Sequence, residues 1–240
     1  MVERFVHIEE VTGSIPVLPT HHKKLVRSQQ HPPMDNFCTI YLVRHGESEG
    51  NIGRVVGGNP ALTGNGKKQA AETAKKLKDI HFDAVFSSNL IRAKQTAEII
   101  AAERKLAIET RDIIKERGYG ALEGSNVDKL DEKIKEARAG LEKLLDKVKL
   151  RNVYPEGMEN NEDMASRMIT FLREIATAYP GKTVLIVSHG GIMRAFLIHV
   201  GFGTYENFKP MDIGNAAFVK IATDGIEFKI LETDGIKIPE

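Results

Sequence analysis

From Phe37 onward the chain switches between two hydrophobic patterns. Short, continuous apolar runs predict buried strands at Phe37–Val43, Ala84–Ser87 and Thr183–Val187, with a further short strand at Leu106–Glu109. Between them apolar residues recur at helical spacing. Thr63 is a candidate N-cap for a helix with Ala70, Ala74 and Leu77 on one face. Leu90–Arg104 predicts a second helix with Ile91, Ala97, Ile99 and Ile100 turned inward. The highly charged stretch Val127–Lys149 keeps Leu130, Ile134, Ala137, Leu141, Leu144, Leu145 and Val148 at helical spacing, which predicts a solvated amphipathic helix with an interruption near Gly140. Asn161–Tyr179 predicts a helix stopped by Pro180-Gly181, and Ile192–Val200 predicts another. Two β-like runs, Ala216–Ala222 and Ile226–Leu231, joined through Thr223-Asp224-Gly225, predict a hairpin. Strands alternating with helices predict an α/β fold whose sheet is covered on both faces.

Residues 1–36 follow neither pattern. They hold Pro16, Pro19, Pro32 and Pro33 with His21-His22-Lys23-Lys24, and read as an extended arm with a short strand at Phe5-Val6-His7-Ile8. The arm is expected to pack across the surface or to contact another subunit, a homodimer being one such assembly. Residues 37–240 are expected to form one domain, long enough to bury a full core.

Charge narrows the choice of partner. Lys+Arg total 34 against 33 Asp+Glu, a net charge of +1, so no long-range basic field recommends nucleic acid or an anionic membrane. An anionic small substrate would have to be held by locally placed Arg and His. Cys38 is the single cysteine, so an intrachain disulfide and a thiolate metal cluster are both excluded, and it reads as a small core residue. Met-Val-Glu-Arg-Phe-Val-His carries no long apolar segment, and a cytoplasmic enzyme is the expectation.

The candidate chemistry lies at strand ends and in one loop. The first predicted strand runs into Arg44-His45-Gly46, followed by Ser48 and Asn51. The second leads into Ser87-Ser88-Asn89-Leu90-Ile91-Arg92, with Arg92 in the first turn of a helix. A glycine-punctuated loop, Lys115-Glu116-Arg117-Gly118-Tyr119-Gly120-Ala121-Leu122-Glu123-Gly124, carries a well-placed carboxylate. The strand at Thr183–Val187 runs into Ser188-His189-Gly190-Gly191. Carboxyl ends of strands in open α/β sheets are where ligands bind, and cations, imidazoles and flexible backbone gathered there suit a phosphate. Glu47 and Glu123 are alternative acids to Glu116, and Tyr119 reads equally as a substrate contact or as loop packing. His7, His31, His81 and His199 have no motif support.

In type and order these four motifs resemble the histidine phosphatase superfamily, the phosphoglycerate-mutase-like proteins, over roughly residues 38–222. The resemblance implies a three-layer α/β/α sandwich with a mostly parallel central sheet. It implies that His45 is the nucleophile and forms a phosphohistidine, that Arg44, Arg92 and His189 surround the phosphoryl oxygens, and that Glu116 is the general acid. Ser48 and Asn51 would be minor donors, and Gly46 and Gly190 would leave room for phosphate to approach the backbone. Neither cofactor nor metal is implied. A neutral imidazole is nucleophilic near neutral pH, and covalent catalysis splits one hard displacement into two easier ones.

The same superfamily holds phosphatases and mutases. Glu116–Leu122 looks mutase-like, but three departures favour a phosphatase. Arg54-Val55-Val56-Gly57-Gly58-Asn59-Pro60 lacks the Thr-Gly-Trp-like element that grips a substrate carboxylate in mutases. The interval from Glu116 to His189 is shorter than in mutases, and no Arg-Arg pair follows Tyr119, with Arg138 a weak stand-in. The expected function is hydrolysis of a small phosphorylated metabolite. The alternatives are a phosphoglycerate mutase or a catalytically idle sensor of a phosphate ligand. Selectivity for the alcohol is expected from loop 54–60, Tyr119 and helix 127–149.

Overall fold

The computed structural model describes residues 36–141, 145 and 153–239, all within the unit Pro33–Glu240. The strand expected at residues 5–8 and the His21/His22 pair lie outside the described residues.

Six strands form one sheet in the order β3-β2-β4-β1-β5-β6. They are β1 (Cys38–Arg44), β2 (Ala84–Ser88), β3 (Ile108–Arg111), β4 (Thr183–Ser188), β5 (Ile213–Thr223) and β6 (Phe228–Ile236). The first four by position, β3, β2, β4 and β1, pair in parallel, and β5 runs antiparallel to both its neighbours. The sheet is therefore mostly parallel, as the family resemblance implies.

Alternation along the two central strands explains the layers. Cys38, Ile40 and Leu42 of β1 and Val184 and Ile186 of β4 enter one core with Met164, Met168, Phe171 and Leu172 of α5 (Asn161–Ala178) and Met193 and Phe196 of α6 (Gly190–His199). Tyr41, Val43, Leu185 and Val187 point the other way, into a core shared with Ala93, Ala97 and Ile100 of α3 (Ile91–Ala101) and with Leu77, the residue closing α2 (Gly64–Lys76). Strands buried on both faces need the near-continuous apolar runs seen in the sequence.

Local contacts set the element boundaries, one as the sequence pattern predicts and several differently. Thr63 caps α2 through its side chain, which accepts from Gly66 N at 2.9 Å. Ile91 is 41% exposed, because the buried face of α3 follows Arg92, Ala93, Thr96, Ala97 and Ile100 instead. The charged helix, α4 (Val127–Arg138), closes at Ala139, ahead of Gly140 with its left-handed φ of 79°; most of its expected continuation to Lys149 lies outside the described residues. In the hairpin, Asp224 accepts from Ile226 N and Glu227 N in the turn, leaving Ile226 exposed and moving the start of β6 to Phe228. A four-residue helix, α1 (Glu49–Ile52), was not evident in the pattern.

A third, smaller apolar cluster of Val56, Leu122 and Leu130, with Tyr119, Val127, Ile134 and Met158 against it, joins loop 54–60 to α4. Among the described residues no helix is long and apolar enough to cross a membrane.

Candidate active site

Parallel pairing places the ends of β1 and β4 side by side, Arg44 opposite Ser188. The two histidines that follow are thereby brought face to face, their ring centroids 5.0 Å apart and inclined at 60°. Both are buried, His45 at 3% exposure and His189 at 0%.

The backbone of His45 is fixed from both neighbouring strands. Its N–H donates to Ser188 O at 3.0 Å, and its carbonyl accepts from Ala216 N at 3.2 Å and Asn215 Nδ2 at 3.3 Å. The ring is fixed as well. Nδ1 lies 2.7 Å from Gly46 O, and a carbonyl can only accept, so Nδ1 carries the proton. Nε2 therefore holds its lone pair, and Arg92 Nε donates to it at 3.2 Å. Burial, then the positive charges of Arg92 and Arg44, hold the His45 ring well below its ordinary pKa of 6.5. The ring is thus neutral and nucleophilic at neutral pH. NMR titration of the free protein should place the midpoints of His45 and His189 below 6.5; a midpoint above that value for either ring would contradict this environment.

His189 is held by Ser88, the last residue of β2, with Nε2 2.8 Å from Ser88 Oγ. Its Nδ1 is buried with no partner. Desolvation first, then the neighbouring rings and guanidiniums, keep it well below its ordinary pKa. Arg44 donates through Nη1 to Ile213 O, while its buried Nε has no partner. Unpaired buried polar atoms are costly and uncommon, so these two nitrogens at adjacent strand ends leave hydrogen-bonding capacity open there.

Arg92 is 5% exposed and donates through Nη1 to Gly58 O at 3.2 Å. Thr96, one turn later on α3, accepts from Gly46 N at 3.1 Å and so ties that helix to the end of β1. Desolvation lowers the Arg92 and Arg44 pKa values, and Glu116 opposes this at both, so the carboxylate shares their field. Glu116 accepts from Arg117 N at 2.9 Å through Oε1 and from Gly191 N at 3.0 Å through Oε2. A Cβ on Gly191 would stand 2.4 Å from Glu116 Oε1, so glycine there lets the first turn of α6 meet the carboxylate. Tyr119 joins the group: burial, then Glu116, raises its phenol pKa, and its backbone N–H donates to Glu123 Oε1 at 2.9 Å.

The structure thus gathers Arg44, His45, Arg92, Glu116, Tyr119, His189 and Gly190 around the carboxyl ends of the central strands, a Cβ on Gly190 lying 3.1 Å from Arg44 Nε. Ser48 and Asn51 are placed differently. Ser48 N and Oγ both donate to Asn51 Oδ1, at 3.0 and 3.1 Å, in a capping box that starts α1. Their link to the cluster is Asn215 Nδ2, which reaches both Asn51 Oδ1 and His45 O. Gly46 faces protein: a Cβ there would lie 2.4 Å from Gly66 O. Glu47 accepts from Thr63 Oγ1 at 2.7 Å and Glu123 from Gly58 N at 2.8 Å, so both alternative acids serve loop contacts. Ser88, Thr96 and Asn215 were missed in the sequence. Ser88 alone had a visible signal, as a polar residue ending a strand parallel to the one that carries His189.

The profile of the histidine phosphatase superfamily (branch 1) matches residues 40–234, which includes every residue of the site just described. The chain belongs to this superfamily. It is 35% identical over 172 residues to the uncharacterized phosphatase PhoE of Bacillus subtilis (strain 168), covering 71% of this chain and 81% of that protein. It is 30% identical over 211 residues to a 2,3-bisphosphoglycerate-dependent phosphoglycerate mutase of Cytophaga hutchinsonii, covering 84% of this chain and 94% of the mutase. Among solved structures, Bacillus stearothermophilus YhfR superposes with a TM-score of 0.71 at 26% identity, covering 83% of this chain and 98% of that one. The superfamily relatives therefore include both phosphatases and mutases.

Proposed function

We propose that the protein is a phosphomonoesterase that works through a phosphohistidine on His45. The observation that carries this reading is the His45 ring: one nitrogen is anchored on a carbonyl, and the other offers its lone pair among two guanidiniums. His45 Nε2 attacks phosphorus and the ester P–O bond breaks. The departing oxygen takes a proton from the Glu116 carboxyl. Water then attacks the phosphoryl group, the N–P bond breaks, and Glu116 takes the water's proton. Free phosphate and neutral His45 result. Arg44, Arg92 and the Nδ1 side of His189 hold the charge that spreads over the phosphoryl oxygens in the transition state. With two guanidiniums in that role, the proposed chemistry is metal-independent, and its substrate is a small phosphorylated metabolite of the cytoplasm.

Hydrolysis is favoured over transfer by where the outer cations go. Arg54 pairs with Asp128 at 2.8 Å, both exposed. Arg117 donates to Glu159 O and Asn161 Oδ1, and Arg138 to Val153 O at 3.1 Å. Loop 54–60 is tied down by Glu123 on Gly58 N and by Asn59 Oδ1, which accepts from Ile91 N at 2.7 Å. These cations serve the protein rather than a substrate carboxylate, which a phosphoglycerate mutase must hold while keeping water out.

Product analysis tests the reading. With a phosphomonoester panel that includes 3-phosphoglycerate, the expected result is free phosphate in step with released alcohol, undiminished by chelator. Isomerised phosphoglycerate without free phosphate would instead identify a mutase, binding without turnover would identify a sensor, and loss of activity in chelator would contradict the metal-free step.

A further inference from the structure

Glu116 lies in a stretch with little regular structure of its own, between a single 3-10 turn at Asp112–Ile114 and another at Gly120–Leu122. A general acid must nevertheless meet the leaving oxygen within about 2.6–3.2 Å. Something outside the loop has to hold it.

Arg167, on the inner side of α5, has a side chain only 18% exposed. Its guanidinium makes five hydrogen bonds, matching its five N–H donors. Nε donates to Glu159 Oε1 at 2.6 Å and Nη2 to Glu159 Oε2 at 3.0 Å. Nη1 donates to Ile113 O at 2.7 Å and Lys115 O at 2.6 Å, and Nη2 also to Glu116 O at 3.2 Å. Glu159 returns to the same loop, accepting from Gly118 N at 3.1 Å, while its own carbonyl accepts from Arg117 Nη1. The carbonyl skipped by Arg167, Ile114 O, accepts from Ser188 Oγ at 2.7 Å, next to His189. Burial alone would raise the Glu159 pKa, but Arg167 and the Gly118 N–H hold it below the ordinary carboxylate value, so the pair stays ionised.

We propose that Arg167 and Glu159 are positioning residues, a clamp that aims the Glu116 carboxyl at the leaving oxygen. The proposal rests on the acid role given to Glu116 above. Arginine's planar fork is required, since a lysine ammonium cannot reach three carbonyls and both carboxylate oxygens together. Misplacing a catalytic group by about 1 Å costs on the order of 10²-fold in rate. In the step that breaks the ester bond, which kcat/KM reports, that loss falls on esters that need a proton for departure and largely spares those that do not; the later attack of water slows alike for all esters.

The test compares Arg167→Lys and Glu159→Gln with the parent protein on an activated aryl ester, p-nitrophenyl phosphate, and an alkyl ester, glycerol phosphate. The expected result is a loss in kcat/KM at least about tenfold larger for the alkyl ester, within the on-the-order-of-10²-fold range above. Equal losses on the two esters, or none, would overturn the clamp and leave Arg167 a purely structural residue. Should Arg167→Lys fail to fold, Glu159→Gln carries the same comparison, because it keeps one acceptor oxygen and the side-chain shape. Glu116→Gln in parallel separates the two ideas. If that variant shows no leaving-group dependence, the acid role itself is wrong; if it does and the clamp variants do not, only the clamp is.

Discussion

His45→Ala is expected to lower turnover of any phosphomonoester by on the order of 10⁴-fold or more, the scale at which loss of a covalent nucleophile is felt. No other described nucleophile stands in the same place. The other buried imidazole, His189, has its Nε2 committed to Ser88 and its ring 5.0 Å from that of His45. The proposed phosphate-binding groups keep anchors apart from the substituted ring: Arg44 is held by Ile213 O, and Arg92, which loses its bond to His45 Nε2, by Gly58 O. Inorganic phosphate should therefore still bind to the variant and raise its thermal midpoint. Retention of more than about one-hundredth of parental turnover would place the nucleophile elsewhere, since a change that large is needed to distinguish nucleophile loss from a missing charge contact.

Glu116→Gln is expected to lower kcat/KM by on the order of 10²–10⁴-fold for alkyl esters and far less for activated aryl esters. The substitution also has a structural cost that the geometry makes explicit. Both Glu116 oxygens accept backbone N–H groups, from Arg117 and Gly191, so an amide must turn its NH₂ toward one of those donors. That mismatch affects all substrates alike. The ratio of losses between ester classes is accordingly the informative quantity, and a ratio near unity would remove Glu116 from the proton-transfer step.

Much of this site was legible in the chain because its principal residues follow buried strands. The apolar runs ending at Val43 and Val187 read as central strands, and the residues beyond them meet where those parallel strands end. The Arg92 position was legible for the same reason, lying just past β2. What stayed hidden is held by contacts distant in sequence. Arg167 reads as one more charge on an amphipathic helix, and Glu159 as a polar residue before the Asn160 cap; their partners lie at residues 113–118. Asn215 reaches His45 across an irregular start of β5, where Ala216 takes a positive φ of 57° that no local pattern announces. Ser48 and Asn51 show a local use that the motif does not announce: hydroxyl and amide beside a phosphate motif suggest ligand donors, and a four-residue helix takes them as its cap.

The partnerless Nε of Arg44 and Nδ1 of His189 give the central claim its most specific structural support, since both nitrogens belong to residues that flank the His45 ring and have hydrogen-bonding capacity left open. The most direct test is rapid quenching of the protein with a phosphomonoester labelled at phosphorus, followed by peptide mapping. The account predicts a transient, acid-labile and base-stable label on His45 that decays as labelled free phosphate accumulates. Free phosphate forming with no label on His45 at any time, or label carried by a different residue, would contradict it.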